Sequence, residues 1–258
     1  MLRALVIVAV SAVPAAAQPA LEPVDLELVL LADASGSIDA TENRLQRQGY
    51  ADALADPSVL WAIRHGGERG RIAVAYVEWA GRREQDVVVD WTVIDGEASA
   101  RAFGARLLAA PRQVTGTNAI GAALFKGLEL IGNNGFDGAR EVIDLSGDSI
   151  WNPRPPTIAS ARDAALGQGV TINGLAVLCD DCSGRPGVGD LETDFRDHLI
   201  VGDDAFVVTA DGDAAFANAV RRKLILEVSG RVPPGPPDVR SAQVFTDDRK
   251  MECHLPTE

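Results

Sequence analysis

The sequence is poor in the side chains that most often serve as catalytic bases and nucleophiles. It has three histidines and three cysteines among 258 residues. It also lacks the Gly-x-Ser-x-Gly turn that presents the nucleophile of many serine hydrolases, and the glycine-rich loop with a lysine that cradles a phosphate. We therefore expect His65, His198 and His254 to be surface or partly buried residues, and we do not expect an enzyme.

Positive charge is also scarce. Lysine and arginine number 24 against 37 aspartates and glutamates, which gives a formal net charge of −13. Such a balance repels phosphate backbones and anionic lipid surfaces, and it attracts cations. Nucleic acid is therefore not an expected partner.

Long apolar runs are absent apart from one at the amino terminus. Arg3 precedes an apolar stretch at residues 4–13, and Ala15-Ala16-Ala17 supplies the small residues that signal peptidase accepts. This pattern predicts a signal peptide at residues 1–17; the alternative is an amino-terminal anchor that is not cleaved. A bilayer-spanning helix needs about 20 apolar residues, and no later stretch approaches that length. We therefore expect an exported protein, periplasmic or secreted, with no transmembrane segment after cleavage.

The few cysteines favour one local disulfide. In an oxidising compartment Cys179 and Cys182 are expected to bond with each other, while Cys253 has no evident partner. A redox motif is the alternative, but its second cysteine enters a helix, whereas residues 183–187 continue as a loop. Acidic residues cluster between 180 and 204 with a spacing unlike that of the regular calcium loop, so we expect a solvated acidic loop there.

Strands and helices alternate along most of the chain. Apolar runs predict strands at 25–32, 72–77, 85–92, 141–145, 170–178 and 205–208, and helical spacing predicts helices at 40–54, from 56, and at 96–110, 118–131, 157–168, 191–198 and 213–229. This order is typical of a three-layer, doubly wound α/β fold with a mostly parallel central sheet. The short link before 85–92 makes that segment an antiparallel edge strand. Residues 230–258 are proline-rich and predict an extended, mobile tail.

Oxygen-bearing side chains follow the first predicted strand. Asp33, Ser35 and Ser37 fall within five residues, at the carboxyl end of a central strand, where ligands gather in such folds. Mg²⁺ prefers oxygen ligands in near-octahedral geometry and keeps several waters when the protein supplies few charged groups. The motif therefore predicts a hard-cation site; the alternative is that these residues only cap the helix that follows.

Two further segments bring oxygen ligands to the same edge of the predicted sheet. Thr117 lies in residues 114–121 before a predicted helix, and Asp148 follows the fourth predicted strand. With these motifs the chain resembles the von Willebrand factor type A domains, over roughly residues 24–229. The resemblance implies one domain of that fold and a metal-ion-dependent adhesion site made of Asp33, Ser35, Ser37, Thr117 and Asp148.

The resemblance also implies how such a site works. Ser35 and Ser37 would bind the cation directly and Thr117 directly or through water, while the two aspartates would act directly or through waters and neutralise charge. Mg²⁺ is the expected ion, with Mn²⁺ and Ca²⁺ as alternatives. The ion would accept one more oxygen from an acidic side chain of a partner protein. Because both aspartates must be ionised, acid should release metal and partner together.

Alternatives accompany this interpretation. Thr115 is a second candidate threonine, and Asp148-Ser149 departs from the Asp-Gly of many relatives. Trp151 and Asn152 are candidate partner contacts, although Trp151 could instead pack beneath its loop. The alternative function is a hydrolase that activates water with the same aspartates, helped by Asp144; otherwise Asp144 is expected to bond to nearby backbone. Within the family, the chain is most similar to exported bacterial members with no assigned function.

Overall fold

The central sheet of this computed structural model has six strands within the described residues, which are 20–178, 190–211 and 213–230. In chain order the elements are β1 (Glu22–Val24), β2 (Leu26–Asp33), α1 (Ala40–Leu54), α2 (Pro57–His65), β3 (Ile72–Trp79), β4 (Gln85–Ile94), α3 (Glu97–Ala109), α4 (Ile120–Gly132), β5 (Phe136–Gly138), β6 (Glu141–Gly147), α5 (Ile158–Gln168), β7 (Thr171–Leu178), α6 (Leu191–Asp194), β8 (Val207–Asp211) and α7 (Asp213–Ser229). A π-helical turn, Phe195–Leu199, continues α6.

The strands of the large sheet lie in the order β4-β3-β2-β6-β7-β8. Neighbouring strands are parallel except β3 and β4, which pair antiparallel. This confirms the predicted α/β fold with a mostly parallel sheet and one antiparallel edge strand. Because β2 lies between β3 and β6, the residues that follow these three strands meet at one edge, here named the carboxyl edge of the sheet.

Both faces of the sheet are buried, which explains the continuous apolar runs of its central strands. Every residue of β2 and β3 is buried. Side chains alternate between the faces: Leu28 and Leu30 pack in a cluster with residues of α1, α2, α3 and α7, whereas Val29 and Leu31 pack with residues of α4 and α5. The result is the predicted three-layer arrangement.

A second, two-stranded sheet was not predicted from the sequence. β1 and β5 pair in parallel over three residues each. Segments of that length show no periodicity that would distinguish a strand from a loop. The pair joins the chain just before β2 to the chain just before β6, at the edge of the sheet opposite the carboxyl edge.

Several predictions concern residues outside the described ranges. They are the signal peptide at residues 1–17, the disulfide between Cys179 and Cys182, and the tail beyond Gly230, and all three stay predictions. Among the helices of the described ranges, none combines the length and the apolar character that crossing a bilayer requires.

Buried charges join α7 to the sheet. The Lys223 Nζ atom of α7 lies 3.0 Å from Asp144 Oδ1 of β6 and 2.7 Å from Glu227 Oε1, and each of the three side chains is 1 % exposed. Asn173 Nδ2 of β7 donates a 2.8 Å hydrogen bond to Glu227 Oε2. Burial raises the pKa of Asp144, against the opposing charge of Lys223. The expectation that Asp144 bonds to nearby backbone is therefore wrong, because its partner is a helix lysine.

Candidate metal centre

The loop between β2 and α1 carries the first group of predicted ligands. Asp33 is the last residue of β2, and its Oδ1 accepts a 2.7 Å hydrogen bond from the Ser35 amide. The hydroxyls of Ser35 and Ser37 are 3.2 Å apart. Asp39, not these three residues, caps α1: its carboxylate accepts the amides of Thr41 and Glu42. The capping role considered for Asp33, Ser35 and Ser37 is thus filled by another residue.

The second oxygen of Asp33 is buried without a hydrogen-bond partner. Burial and the nearby charge of Asp148 raise the pKa of Asp33 to about 7, although the Ser35 amide lowers it. An unpaired buried carboxylate is unfavourable unless a cation or a proton compensates it. This oxygen, beside two hydroxyls, fits a divalent cation.

Asp148 follows β6 directly and is half-buried. Its negative charge is, after burial, the second cause of the raised pKa of Asp33. Gly147 keeps the space between them open, because a Cβ on it would lie 3.3 Å from Asp33 Oδ2. The pairing of β2 with β6 thus brings together two carboxylates that are far apart in the sequence.

The third segment lies against the first. The Gly36 amide donates a 2.7 Å hydrogen bond to the Gly116 carbonyl, which places the exposed Thr117 next to the serine loop. Arg112 fastens the two segments together. Its guanidinium donates to the carbonyls of Ala34 at 2.7 Å and Ser35 at 3.3 Å, and its Nε to that of Val114 at 3.0 Å. Arg112 belongs to none of the three motifs, so no pattern in the sequence indicated this role.

Buried side chains also fix α1 behind the serine loop. Arg47 of α1 pairs with Glu78 of β3 at 2.7 Å, with side chains only 5 % and 0 % exposed. Asn43 Nδ2 donates a 2.8 Å hydrogen bond to the same carboxylate oxygen. Because Glu78 precedes the end of β3, this cluster sets the start of α1 relative to the carboxyl edge.

The loop after Asp148 forms the other side of the centre. Asn118 Nδ2 donates a 2.6 Å hydrogen bond to Ser149 Oγ. Asn152 Oδ1 accepts the Gly121 amide at 3.1 Å, and its Nδ2 donates to the carbonyls of residues 154 and 156. The Asn152 amide thus holds the loop against α4, whereas the Trp151 side chain is 49 % exposed.

The side chains at the carboxyl edge limit which metal ions could bind there. No group of three or more histidine, cysteine, aspartate or glutamate side chains that could hold a metal occurs in the part of the chain that the structure describes. A cation at the carboxyl edge therefore depends on hydroxyls together with Asp33 and Asp148. Hard cations such as Mg²⁺ suit an oxygen set of this kind. Asp144 does not join the set, since it is paired with Lys223.

A family model described as a protein of unknown function, DUF1194, matches residues 23–232. No curated protein matches the chain in sequence.

Solved structures are similar in fold. The pilus adhesin SpaC from Lactobacillus rhamnosus GG, in its open conformation, has a TM-score of 0.58 and 13% identity, over 82% of this chain and 30% of the adhesin. Proximal thread matrix protein 1 from the mussel byssus, with a zinc-occupied MIDAS motif, has a TM-score of 0.55 and 16% identity, over 80% of this chain and 46% of that protein. The chain thus spans less than half the length of either protein.

Proposed function

Because the chain belongs to the DUF1194 family of proteins of unknown function and its fold is that of von Willebrand factor type A domains, we propose that it is an exported protein-binding module that uses a divalent cation to bridge to an acidic side chain of a partner protein. The ligands in this proposal are Asp33, Ser35, Ser37, Thr117 and Asp148. The observation that carries it is the buried, unpartnered Oδ2 of Asp33 beside two serine hydroxyls.

In this proposal the ligand residues have different roles. Ser35 and Ser37 supply neutral oxygens, while Asp33 and Asp148 supply negative charge. When bound, the cation supplies an electrophilic position for one further oxygen. Two carboxylates only balance the double positive charge of the ion. A further carboxylate from a partner protein is therefore not repelled by excess negative charge at the site. Mg²⁺ is the proposed ion, with Mn²⁺ and Ca²⁺ as alternatives, and zinc occupies the MIDAS motif of the mussel protein.

The fold supports a binding role in preference to catalysis. One solved structure of similar fold is a pilus adhesin and another is a thread matrix protein. A hydrolase would need a base near the aspartates. Asp144 is engaged with Lys223, and His65 lies on α2, with its Nδ1 bonded to the Trp61 carbonyl.

The proposal extends to the whole chain. Residues 1–17 act in it as a cleaved signal, residues 24–229 as the binding domain, and Cys179 and Cys182 as a disulfide, with periplasmic or secreted localisation. Trp151, exposed in the loop after Asp148, is the proposed aromatic contact with the partner. Asn152 holds the loop that presents it.

Calorimetry of Mg²⁺ binding tests the metal centre. We expect titration of Mg²⁺ into the chain without residues 1–17 to release or absorb heat with saturation at one ion. The Asp33→Ala variant removes both the orphan oxygen and a charge, so it should give no binding heat. Asp163→Ala, which removes an exposed aspartate of α5, is the matched control and should bind as the parent does.

Two outcomes would contradict the proposal. One is the absence of saturable binding of Mg²⁺, Mn²⁺ or Ca²⁺ to the parent; the other is equal binding by Asp33→Ala. Capture of proteins from an exported fraction, with and without chelator, then separates the functions. A prey protein released by chelator supports a binding module, and metal-dependent turnover in a hydrolase substrate screen supports the alternative.

A further inference from the structure

Exposed arginines flank the candidate metal centre on both sides, in a chain with a net charge of −13. Arg82 and Arg83 lie in the turn between β3 and β4, and Arg154 lies in the loop after Asp148. We refer to these three residues as the arginine flanks. They stand out because the protein as a whole has more acidic than basic side chains.

The β3–β4 turn lies directly against the metal-site segments. The Ala34 amide, next to Asp33, donates a 2.8 Å hydrogen bond to the Trp79 carbonyl at the end of β3. A Cβ on Gly116 would lie 3.4 Å from the Gly81 nitrogen, so the turn and the segment that carries Thr117 are in contact. Arg82 and Arg83 follow Gly81 immediately and therefore lie at the carboxyl edge.

Arg154 occupies the opposite side of the centre. Asn152 Nδ2 donates a 3.2 Å hydrogen bond to the Arg154 carbonyl, and Asn152 Oδ1 accepts the Gly121 amide at the start of α4. The backbone at Arg154 is thus fixed, while the residue is exposed. Since β2 lies between β3 and β6, the centre lies between this loop and the β3–β4 turn.

The guanidinium groups of the arginine flanks take part in none of the ion pairs found among the described residues. Nor does any of the three form a hydrogen bond within those residues. Glu84, in the same turn, accepts the Arg83 amide with its carboxylate. Arg112, by contrast, donates hydrogen bonds to three backbone carbonyls.

We propose that the arginine flanks select a partner segment with several acidic residues. One carboxylate of that segment meets the cation and others on either side meet Arg82, Arg83 and Arg154. This inference rests on the proposed function and names its partner class. Guanidinium groups pair with carboxylates in a fork geometry, and charges at a binding rim mainly raise the association rate and sharpen partner choice.

Fluorescence anisotropy with two labelled peptides tests the inference. One peptide alternates glycine with glutamate around a central aspartate, and the other has that aspartate alone among glycines. With Mg²⁺ at low ionic strength, we expect the parent protein to bind the first peptide more tightly than the second. The Arg82→Ala/Arg83→Ala variant should bind the multi-acid peptide about fivefold more weakly, as two exposed charge pairs would predict. Arg154→Ala should have a smaller effect in the same direction.

Matched variants separate this effect from net charge. Arg64→Ala/Arg101→Ala removes the same charge near the opposite edge of the sheet, where Arg64 contacts Gly96 at the start of α3, and should leave peptide binding unchanged. Calorimetry should give the same Mg²⁺ affinity for both double variants as for the parent. Added salt should shrink the difference between the peptides, because exposed charges are screened.

The outcomes distinguish this inference from the proposed function. Suppose that the single-acid peptide binds in a Mg²⁺-dependent way and that loss of Arg82 and Arg83 changes nothing. The proposed metal-bridged binding is then supported, and the proposed role of the arginine flanks in partner choice is refuted. Equal losses of peptide affinity in the two double variants would also refute that role. If neither peptide binds the parent with Mg²⁺, both the inference and the acid-bridging function fail.

Discussion

Arg112 holds two segments of the candidate metal centre at fixed distances. Its guanidinium donates to the Ala34 and Ser35 carbonyls, and its Nε donates to the Val114 carbonyl. The backbone that carries the Ser35 hydroxyl is therefore held in place by Arg112, which belongs to another loop. Residues that orient metal ligands without touching the ion commonly contribute a factor of about 10 to 100 in affinity.

Replacing Arg112 tests this positioning role. We expect Arg112→Met to weaken Mg²⁺ binding by about tenfold, because the serine loop loses its link to residue 114. Arg112→Lys keeps one charged donor and should recover part of the loss. Calorimetry measures the affinity, and thermal unfolding in chelator shows whether the fold is intact. Unchanged affinity in Arg112→Met would mean that the loop needs no such support.

The positions of the candidate ligands were easier to predict than the contacts that support them. Asp33, Ser35 and Ser37 follow a strongly apolar strand, so their place at the carboxyl edge follows from the pattern of the sequence. Arg112 and Asn152 sit in irregular loops, and their roles depend on carbonyls and amides that only the folded backbone brings near. A sequence pattern carries no signal for such contacts.

At the scale of elements, α7 is joined to the sheet by charge as well as by apolar packing. Leu224 and Val220 pack in the core, and between them Lys223 meets Asp144 and Glu227. Burial by itself lowers the pKa of Lys223, but the two carboxylates outweigh it and the net shift is upward. Lys223 is therefore charged in the folded protein at neutral pH.

Breaking this buried cluster should be costly. We expect Lys223→Met to lower the free energy of unfolding by about 3–5 kcal/mol, because it leaves two carboxylates buried without their cation. The double variant Lys223→Met/Asp144→Leu removes one of those carboxylates and should recover part of the loss. Urea denaturation followed by circular dichroism measures both. A loss below about 1 kcal/mol in the single variant would contradict the account.

The sequence predicted α7 but not this cluster. Lys223 and Glu227 are four residues apart, a spacing that commonly marks a pair on a solvated helix face. Asp144 stands alone among apolar residues of β6, so its partner has to come from another element. Tertiary packing determines which helix covers that face of the sheet, and the local sequence pattern does not contain this information.

At the scale of the whole molecule, strand order brings the separated motifs together. The alternation of strands and helices predicts a doubly wound sheet, and a central β2 with β3 and β6 beside it follows from that fold. The small sheet of β1 and β5 is absent from the prediction because three-residue strands leave too little pattern. The fold, and with it the position of the three motifs at one edge of the sheet, was thus predictable, whereas the short strand pair and the buried charge cluster were not.

The stability of the whole domain should depend on pH and on metal together. The pKa of Asp33 is raised to about 7 in the folded protein, above its ordinary value of 3.8. Folding therefore favours the protonated form, and this contribution, present in full below about pH 4, is lost as pH rises through about 7. We expect the protein in chelator to lose stability between about pH 4 and pH 7, with little further loss above that range.

Mg²⁺ should reverse that loss. At a concentration one hundred times its dissociation constant, a ligand of the folded state adds about 2.7 kcal/mol, and a carboxylate binds it best when ionised. The gain in unfolding temperature should therefore be larger at pH 8 than near pH 5.5. Burial also raises the pKa of Asp144, so Asp33→Asn should keep part of the loss in chelator, but it should show no gain with Mg²⁺. The same pH profile in that variant would assign the effect to other groups.

The positions of the first and last described residues determine how the protein would be oriented if it were attached to a support near them. α7 finishes beside the end of α2, since a Cβ on Gly66 would lie 2.8 Å from the Val228 carbonyl oxygen, and β1 begins at that same side of the sheet. The first and last described residues therefore emerge on the side away from Asp33. Attachment to a bead or a surface close to residue 20 or residue 230 would leave the loop with Asp33, Ser35 and Ser37 facing away from the support.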